Sequence, residues 1–232
     1  VSLSTFSHFN RRSNEAWIRE LADKHPDLTF EALDLTLANF YKSAPSNVKP
    51  LATNIFSDDC PLAKEPGTRA FINQRLMLSA FTKAQWQAVL KRYYDALQPG
   101  GWLQLGEIEA EAFGEGIPTI KRWMTLAGAI AEKREIFFFC AKALKGMMEE
   151  VGFVDVQTER CALKMGDKVP TLPMTSPQFI RATMDAVGSM APKLGLVTEE
   201  ERQEILEEVY QICNSHPDLE YPLLYTWGRK PE

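Results

Sequence analysis

Apolar positions change their spacing several times along this chain, and each change marks an element. Over residues 14–24, Trp17, Ile18, Leu21 and Ala22 form one stripe of helical period, with Ser13 or Asn14 placed to cap it and His25-Pro26-Asp27 to stop it. Residues 28–34 alternate apolar with polar or small side chains and predict a strand, and residues 35–41 a turn or short helix. A second strand is expected over residues 48–55, closed by the acidic turn Ser57-Asp58-Asp59, and a third around Ala70-Phe71-Ile72. The clearest helix carries Trp86, Val89, Leu90, Tyr93, Tyr94 and Leu97 at i, i+3, i+4, i+7, i+8 and i+11. Pro99-Gly100-Gly101 ends it, and residues 102–109 follow with the period of a strand. A helical region over residues 117–151 is expected to break between Lys133 and Phe137 and to stop at Gly152 before a strand over residues 153–163. Residues 170–177 predict a loop, and residues 178–190 and 198–214 two helices. The second of these opens with a capping box of Thr198 and Glu201. Residues 221–229 are a last strand, and residues 1–6 a residual first one.

Alternating elements of this kind predict an α/β domain with a mainly parallel sheet. Neither a repeat nor a low-complexity linker divides the chain, so residues 1–232 are expected to form a single domain with a helical insertion at about residues 170–215. Composition adds mostly exclusions. With 45% hydrophobic and 25% charged residues the chain can build a real core, which excludes a disordered or fibrous protein. A net charge of −5, with no basic cluster larger than Arg11-Arg12, argues against a nucleic-acid partner. No apolar run approaches the roughly 18 residues of a membrane span, and the first residues lack a basic start and apolar stretch, so a cytoplasmic protein is expected. Cys60, Cys140, Cys161 and Cys213 match no metal-ligand spacing and are expected to be free thiols. His25 and His216 each precede Pro-Asp, where turn chemistry accounts for them, so with His8 they point to no metal site.

Asn73-Gln74-Arg75-Leu76-Met77-Leu78, the helix of Trp86, and Leu97-Gln98-Pro99-Gly100-Gly101-Trp102-Leu103-Gln104-Leu105-Gly106-Glu107 together resemble class I S-adenosylmethionine methyltransferases. The likeness is to the fungal small-molecule branch of secondary metabolism. In that family the L-x-P-G-G-W turn joins the fourth helix to the fifth strand. Met147-Met148-Glu149-Glu150-Val151-Gly152-Phe153-Val154-Asp155-Val156 resembles the passage into the sixth strand, and Trp17-Ile18-Arg19-Glu20-Leu21-Ala22, His25-Pro26 and the strand ending in Asp34 resemble the first helix and second strand. Residues 223–229 fit an antiparallel seventh strand. The resemblance implies a Rossmann-like fold, S-adenosylmethionine as cofactor, and methyl transfer to a small-molecule secondary metabolite. It places Asp34 at the ribose, Asn54 (Asp58 next) at the adenine, and Asn73 at the methionyl end. Glu107 becomes the candidate general base, with Arg75 and Gln74 beside it, and Glu109, Trp123 and Met124 the candidate substrate face. Glu31, earlier on the Asp34 strand and expected on the same face, is too far from the strand end to take part. Phe137-Phe138-Phe139, Met147 and Met148 are expected in the core.

One departure changes the picture. A glycine-rich loop normally follows the first strand, because only glycine lets the backbone approach the cofactor closely. Residues 7–14 contain no glycine, and the first glycine of the sequence is Gly67. A first strand that is missing or distorted, in a shortened or altered N-terminal region, is therefore expected. Three explanations compete: a shortened or aberrant methyltransferase, a methyltransferase-fold enzyme repurposed for cyclisation or isomerisation, and a non-catalytic partner of a true methyltransferase. A homodimer or a complex with another enzyme goes with the last. Asn10, Arg11 and Arg12 either suit an anion at the start of the first helix or form a solvated basic loop.

Overall fold

The computed structural model describes residues 2–7, 13–36, 44–165, 177–216 and 219–232. Its strands are β1 (Ser2–Ser7), β2 (Thr29–Asp34), β3 (Val48–Ala52), β4 (Arg69–Arg75), β5 (Leu97–Ile108), β6 (Val154–Lys164) and β7 (Glu220–Arg229). Its helices are α1 (Ser13–Lys24), α2 (Pro61–Lys64), α3 (Lys83–Ala96), α4 (Pro118–Lys133), α5 (Leu144–Val151), α6 (Pro177–Gly188) and α7 (Glu199–Ser215). The strands form one sheet in the order β3-β2-β1-β4-β5-β7-β6. The first five run parallel, and β7 runs antiparallel to both β5 and β6.

The first strand corrects the expectation of a missing or distorted one. β1 pairs in parallel with β2 on one side and β4 on the other, with a single register shift at Ser2/Leu3. The turn or short helix expected over residues 35–41 falls largely outside the described residues, as do the anion reading of residues 10–12 and the loop over residues 170–176. β3 ends at Ala52, and the last bond of its parallel ladder with β2 runs from the Thr53 N–H to the Asp34 carbonyl at 2.7 Å. A short helix, α2, occupies residues that carry no helical period, started by Pro61 at a position where a missing N–H costs nothing.

β5 begins five residues before its apolar alternation does. Pro99-Gly100-Gly101 lies inside the strand, since the Gly101 carbonyl accepts the Lys230 N–H at 2.8 Å. A Cβ on Gly101 would sit 2.9 Å from the Gln98 carbonyl oxygen and 3.1 Å from that of Arg69, so only glycine lets β4 and β5 start this close. α3 starts with a full capping box, Thr82 Oγ1 accepting the Gln85 N–H and Gln85 Oε1 accepting the Thr82 N–H. Its apolar stripe buries Trp86, Val89, Leu90 and Tyr93 completely against the sheet, each worth roughly 1.5–3 kcal/mol. The break expected after α4 is present, with Glu135 at φ 56° and a 3₁₀ turn over Ala141–Ala143 leading into α5. α6 and α7 lie between β6 and β7 in sequence and pack with α4 into a second apolar cluster.

Glu31 does not share the face of Asp34. Three positions separate them, and alternation sends them to opposite sides of β2. The Glu31 carboxylate is buried against Arg69, which is 2% exposed, with Nη2 and Nε at 2.7 and 3.0 Å from Oε2. Arg69 also reaches Glu65 at 2.8 Å. Because β1 runs between β2 and β4, this pair clamps the sheet across its first strand. Arg69→Met should cost about 3–5 kcal/mol in urea unfolding by stripping the buried carboxylate of its cation, and the double variant Glu31→Leu/Arg69→Met should recover most of that loss.

Candidate functional site

Strand order reverses between β1 and β4, with β2 and β3 laid outward on one side and β5 on the other. Beyond the carboxyl ends of strands at such a reversal an open α/β sheet has a natural crevice. A cleft of about 290 Å³ lies there. One wall comes from the ends of β2 and β3, including Asp34, Thr53, Asn54 and Phe56, and the other from Met77, Ser79, Ala80, Phe81 and Arg134.

Asp34 and Asn54 each spend one oxygen on their own turn. Asp34 Oδ1 accepts the Thr36 N–H at 3.1 Å and Asn54 Oδ1 accepts the Phe56 N–H at 3.0 Å. Arg92 of α3 steadies the Asn54 turn by donating to the Ile55 and Ser57 carbonyls. What remains for a ligand is an acceptor, Asp34 Oδ2, and a donor, Asn54 Nδ2. A carboxylate that only accepts, beside a carboxamide that donates, fits the hydroxyls of a ribose and the nitrogen edge of a purine.

Ser79 connects this cleft to two others. It also lines an apolar pocket of about 60 Å³ and a neighbouring groove of about 310 Å³ between α4 and α6. The pocket is walled by Leu76, Leu78, Ile108 and Phe113, by Trp123 and Met124 of α4, by Thr183 and Met184 of α6, and by Tyr221 of β7. Trp123 fits beneath the end of α6 because Gly188 has no Cβ, which would lie 3.1 Å from the indole ring. Phe138, expected in the core with its neighbours, forms part of the wall, and Phe139 is exposed. Met147 and Met148 are core residues as expected.

The candidates therefore divide. Asp34 and Asn54 line the polar cleft, and Trp123 and Met124 the apolar pocket. Asn73, Gln74, Arg75, Glu107 and Glu109 line none of these cavities. Asn73 is buried within β4. Arg75 lies 5.0 Å over the Trp17 ring of α1. Gln74 is buried and accepts the Tyr93 hydroxyl. Glu109 is held by Lys142 and Arg160, each at 3.0 Å. Ser79, Arg134, Thr183 and Tyr221 were not among the candidates. A lone serine in the apolar run Met77-Leu78-Ser79-Ala80-Phe81 just after a strand was the only sequence sign of the first.

Glu107 is fully buried, and its two oxygens accept the N–H groups of Met77 and Leu78 at 2.9 Å each. It thereby holds the loop that carries Ser79. Burial pushes its carboxyl up from the ordinary 4.5 to about 8; the two backbone N–H groups pull the other way. The Gln74 amide nearby adds to that pull, although its Nε2 completes no hydrogen bond of normal geometry. The folded protein thus keeps a proton that the unfolded chain releases near 4.5. Folding takes up that proton between the two values, and the stability it confers falls as pH rises until the folded group ionises near 8. Chemical unfolding at a series of pH values should show this decline, and Glu107→Gln should remove it.

No family model matches the chain. In sequence it is similar to two methyltransferases of the fungus Strobilurus tenacellus: methyltransferase str2, 29% identical over 203 residues, and methyltransferase str3, 26% identical over 180 residues. The matches take in 84% and 75% of this chain and 71% and 63% of those proteins. In structure it is similar to an S-adenosylmethionine-dependent methyltransferase from Archaeoglobus fulgidus, with a TM-score of 0.55 and 11% identity over 99% of this chain and 86% of that one. The [4+2]-cyclase SpnF superposes with a TM-score of 0.54 and 11% identity over 100% of this chain and 74% of that one. Phosphoethanolamine N-methyltransferase 2 of Haemonchus contortus, solved with S-adenosylhomocysteine, gives 0.53 and 13% over the whole of this chain, which spans 49% of that protein. By its strand order and its solved neighbours the chain has the class I methyltransferase fold, and in sequence it is similar to fungal proteins named as methyltransferases.

Proposed function

We propose that the protein is a tailoring methyltransferase that uses S-adenosylmethionine and acts on a small secondary metabolite. One observation carries this reading: the polar cleft at the ends of β2 and β3 meets an apolar pocket at Ser79, so a nucleoside and an apolar molecule would lie side by side across one residue. The names of the fungal relatives support the reaction class. When bound, the cofactor supplies an electrophilic methyl group on a sulfonium centre. Asp34 would accept from the ribose hydroxyls, and Asn54 would meet the base. Glu107 holds the loop between the two compartments and so fixes the distance between donor and acceptor, which is most of what methyl transfer asks of a protein. Trp123, Met124 and Phe138 exclude water from the acceptor side. Cys60, Cys140, Cys161 and Cys213 are all free thiols, which favours a reducing, cytoplasmic setting. No described helix is long and apolar enough to cross a membrane.

A second reading rests on the glycine-free stretch of residues 7–14: the fold retained for a cyclisation or isomerisation without methyl transfer, or for pairing with an active methyltransferase. Calorimetry with S-adenosylhomocysteine separates the readings. The wild-type protein should bind it, and a silent titration would favour the second reading. Hydrogen bonds to a charged group contribute about 1.5–3 kcal/mol each, so Asp34→Ala should weaken binding about tenfold to a few hundredfold. Asp34→Asn keeps an oxygen for the Thr36 N–H while losing the charge, and should fall between.

A further inference from the structure

We infer that the apolar pocket selects a neutral, largely hydrocarbon acceptor molecule carrying an uncharged oxygen at its buried end, and that Tyr221 is the residue that positions that oxygen. The inference rests on the methyltransferase reading for the role of the pocket, and on the pocket's own chemistry for the kind of molecule. Among the described residues its lining is aliphatic and aromatic apart from three hydroxyls, those of Ser79, Thr183 and Tyr221, and contains no Asp, Glu, Lys, Arg or His. A carboxylate, phosphate or ammonium entering it would lose its water and meet no opposite charge, which costs several kcal/mol. A neutral ring or chain gains by the same transfer.

Tyr221 stands apart from the other two hydroxyls. It is the most buried of the three, only 4% exposed against half-buried Ser79 and Thr183, and like theirs its hydroxyl makes no hydrogen bond among the described residues. Phe113 packs edge-on against its ring, with centroids 5.8 Å apart, and pairing with Leu163 of β6 fixes its backbone. A buried phenol resists losing its proton, and burial raises this one well beyond the ordinary range. Tyr221 is therefore a fixed donor and not a base, suited to a carbonyl, ester or ether oxygen. Ser79, at the junction with the polar cleft, is left to face the end of the molecule that accepts the methyl group.

Ligand-observed NMR with three single-ring probes tests this on the purified full chain. Acetophenone is neutral and carries an acceptor oxygen, ethylbenzene has the same outline without it, and benzoate is charged. Acetophenone should bind most tightly, ethylbenzene more weakly and benzoate not measurably. Tyr221→Phe should weaken acetophenone about three- to tenfold and leave ethylbenzene unchanged, the range expected for one net hydrogen bond. Because that variant removes an oxygen with no hydrogen-bond partner among the described residues, its melting temperature should match the wild type. Benzoate binding as well as acetophenone, or an acetophenone-to-ethylbenzene ratio unmoved by Tyr221→Phe, overturns the inference. S-adenosylhomocysteine titrated into the same samples keeps the two readings separate. If it does not bind while acetophenone binding still depends on Tyr221, the methyl-transfer reading fails and the pocket's selectivity stands.

Discussion

A carboxyl group enclosed by protein needs donors for its oxygens even where burial keeps it protonated, and Glu107 finds two in succession on the loop that follows β4. The grip of its oxygens on the Met77 and Leu78 N–H groups is what turns the chain away from the sheet at Leu76, whose backbone is forced to φ 58°. A left-handed leucine costs free energy that only a well-anchored loop sustains. From that anchored loop come Met77, Ser79, Ala80 and Phe81 in the polar cleft and Leu78 and Ser79 in the apolar pocket. A residue that touches no cavity therefore sets the shape of two of them.

The acceptor side depends on the helices between β6 and β7. α6 supplies Thr183 and Met184 to the pocket, and α7 packs against α4 to hold Trp123 in place. The polar cleft takes none of its described lining from them, being built from the ends of β2 and β3, the loop after β4 and Arg134. Two independent supports meet at one serine. Such a division lets the acceptor pocket change through α6 and α7 while the sheet edge that holds Asp34 stays the same.

The sequence displayed what depends on periodicity and local chemistry. The α3 stripe, the Thr198 capping box, the Gly152 stop and the break after Lys133 are all contained within a few neighbouring residues. Asp34 and Asn54 were legible because a strand end locates a residue relative to a crevice. Contacts across long separations were not. Nothing around Glu31 announces Arg69, 38 positions away, and nothing around Glu107 announces that its partners are backbone groups 30 and 29 residues earlier. Glu107, Gln74 and Arg75 stand at strand ends, yet the periodicity gave no sign that they would meet the loop after β4, Tyr93 of α3 and Trp17 of α1. Tyr221 was hidden for the opposite reason: it belongs to a strand at the far end of the chain, and only the closed sheet brings it to α4.

The place of β7 has a consequence for how the molecule comes together. It follows β6 in the sequence by two helices, yet it lies between β5 and β6 and pairs with both. Until it arrives, each of those strands has an open edge, and the second apolar cluster lacks Tyr221 and Leu223. Contacts this distant in sequence form slowly, and partly built sheets with open edges are prone to associate with one another. A chain in which residues 220–229 have not yet paired would hold five strands on one side of an empty slot and β6 alone on the other, so the sheet becomes one body only when β7 bonds to both neighbours.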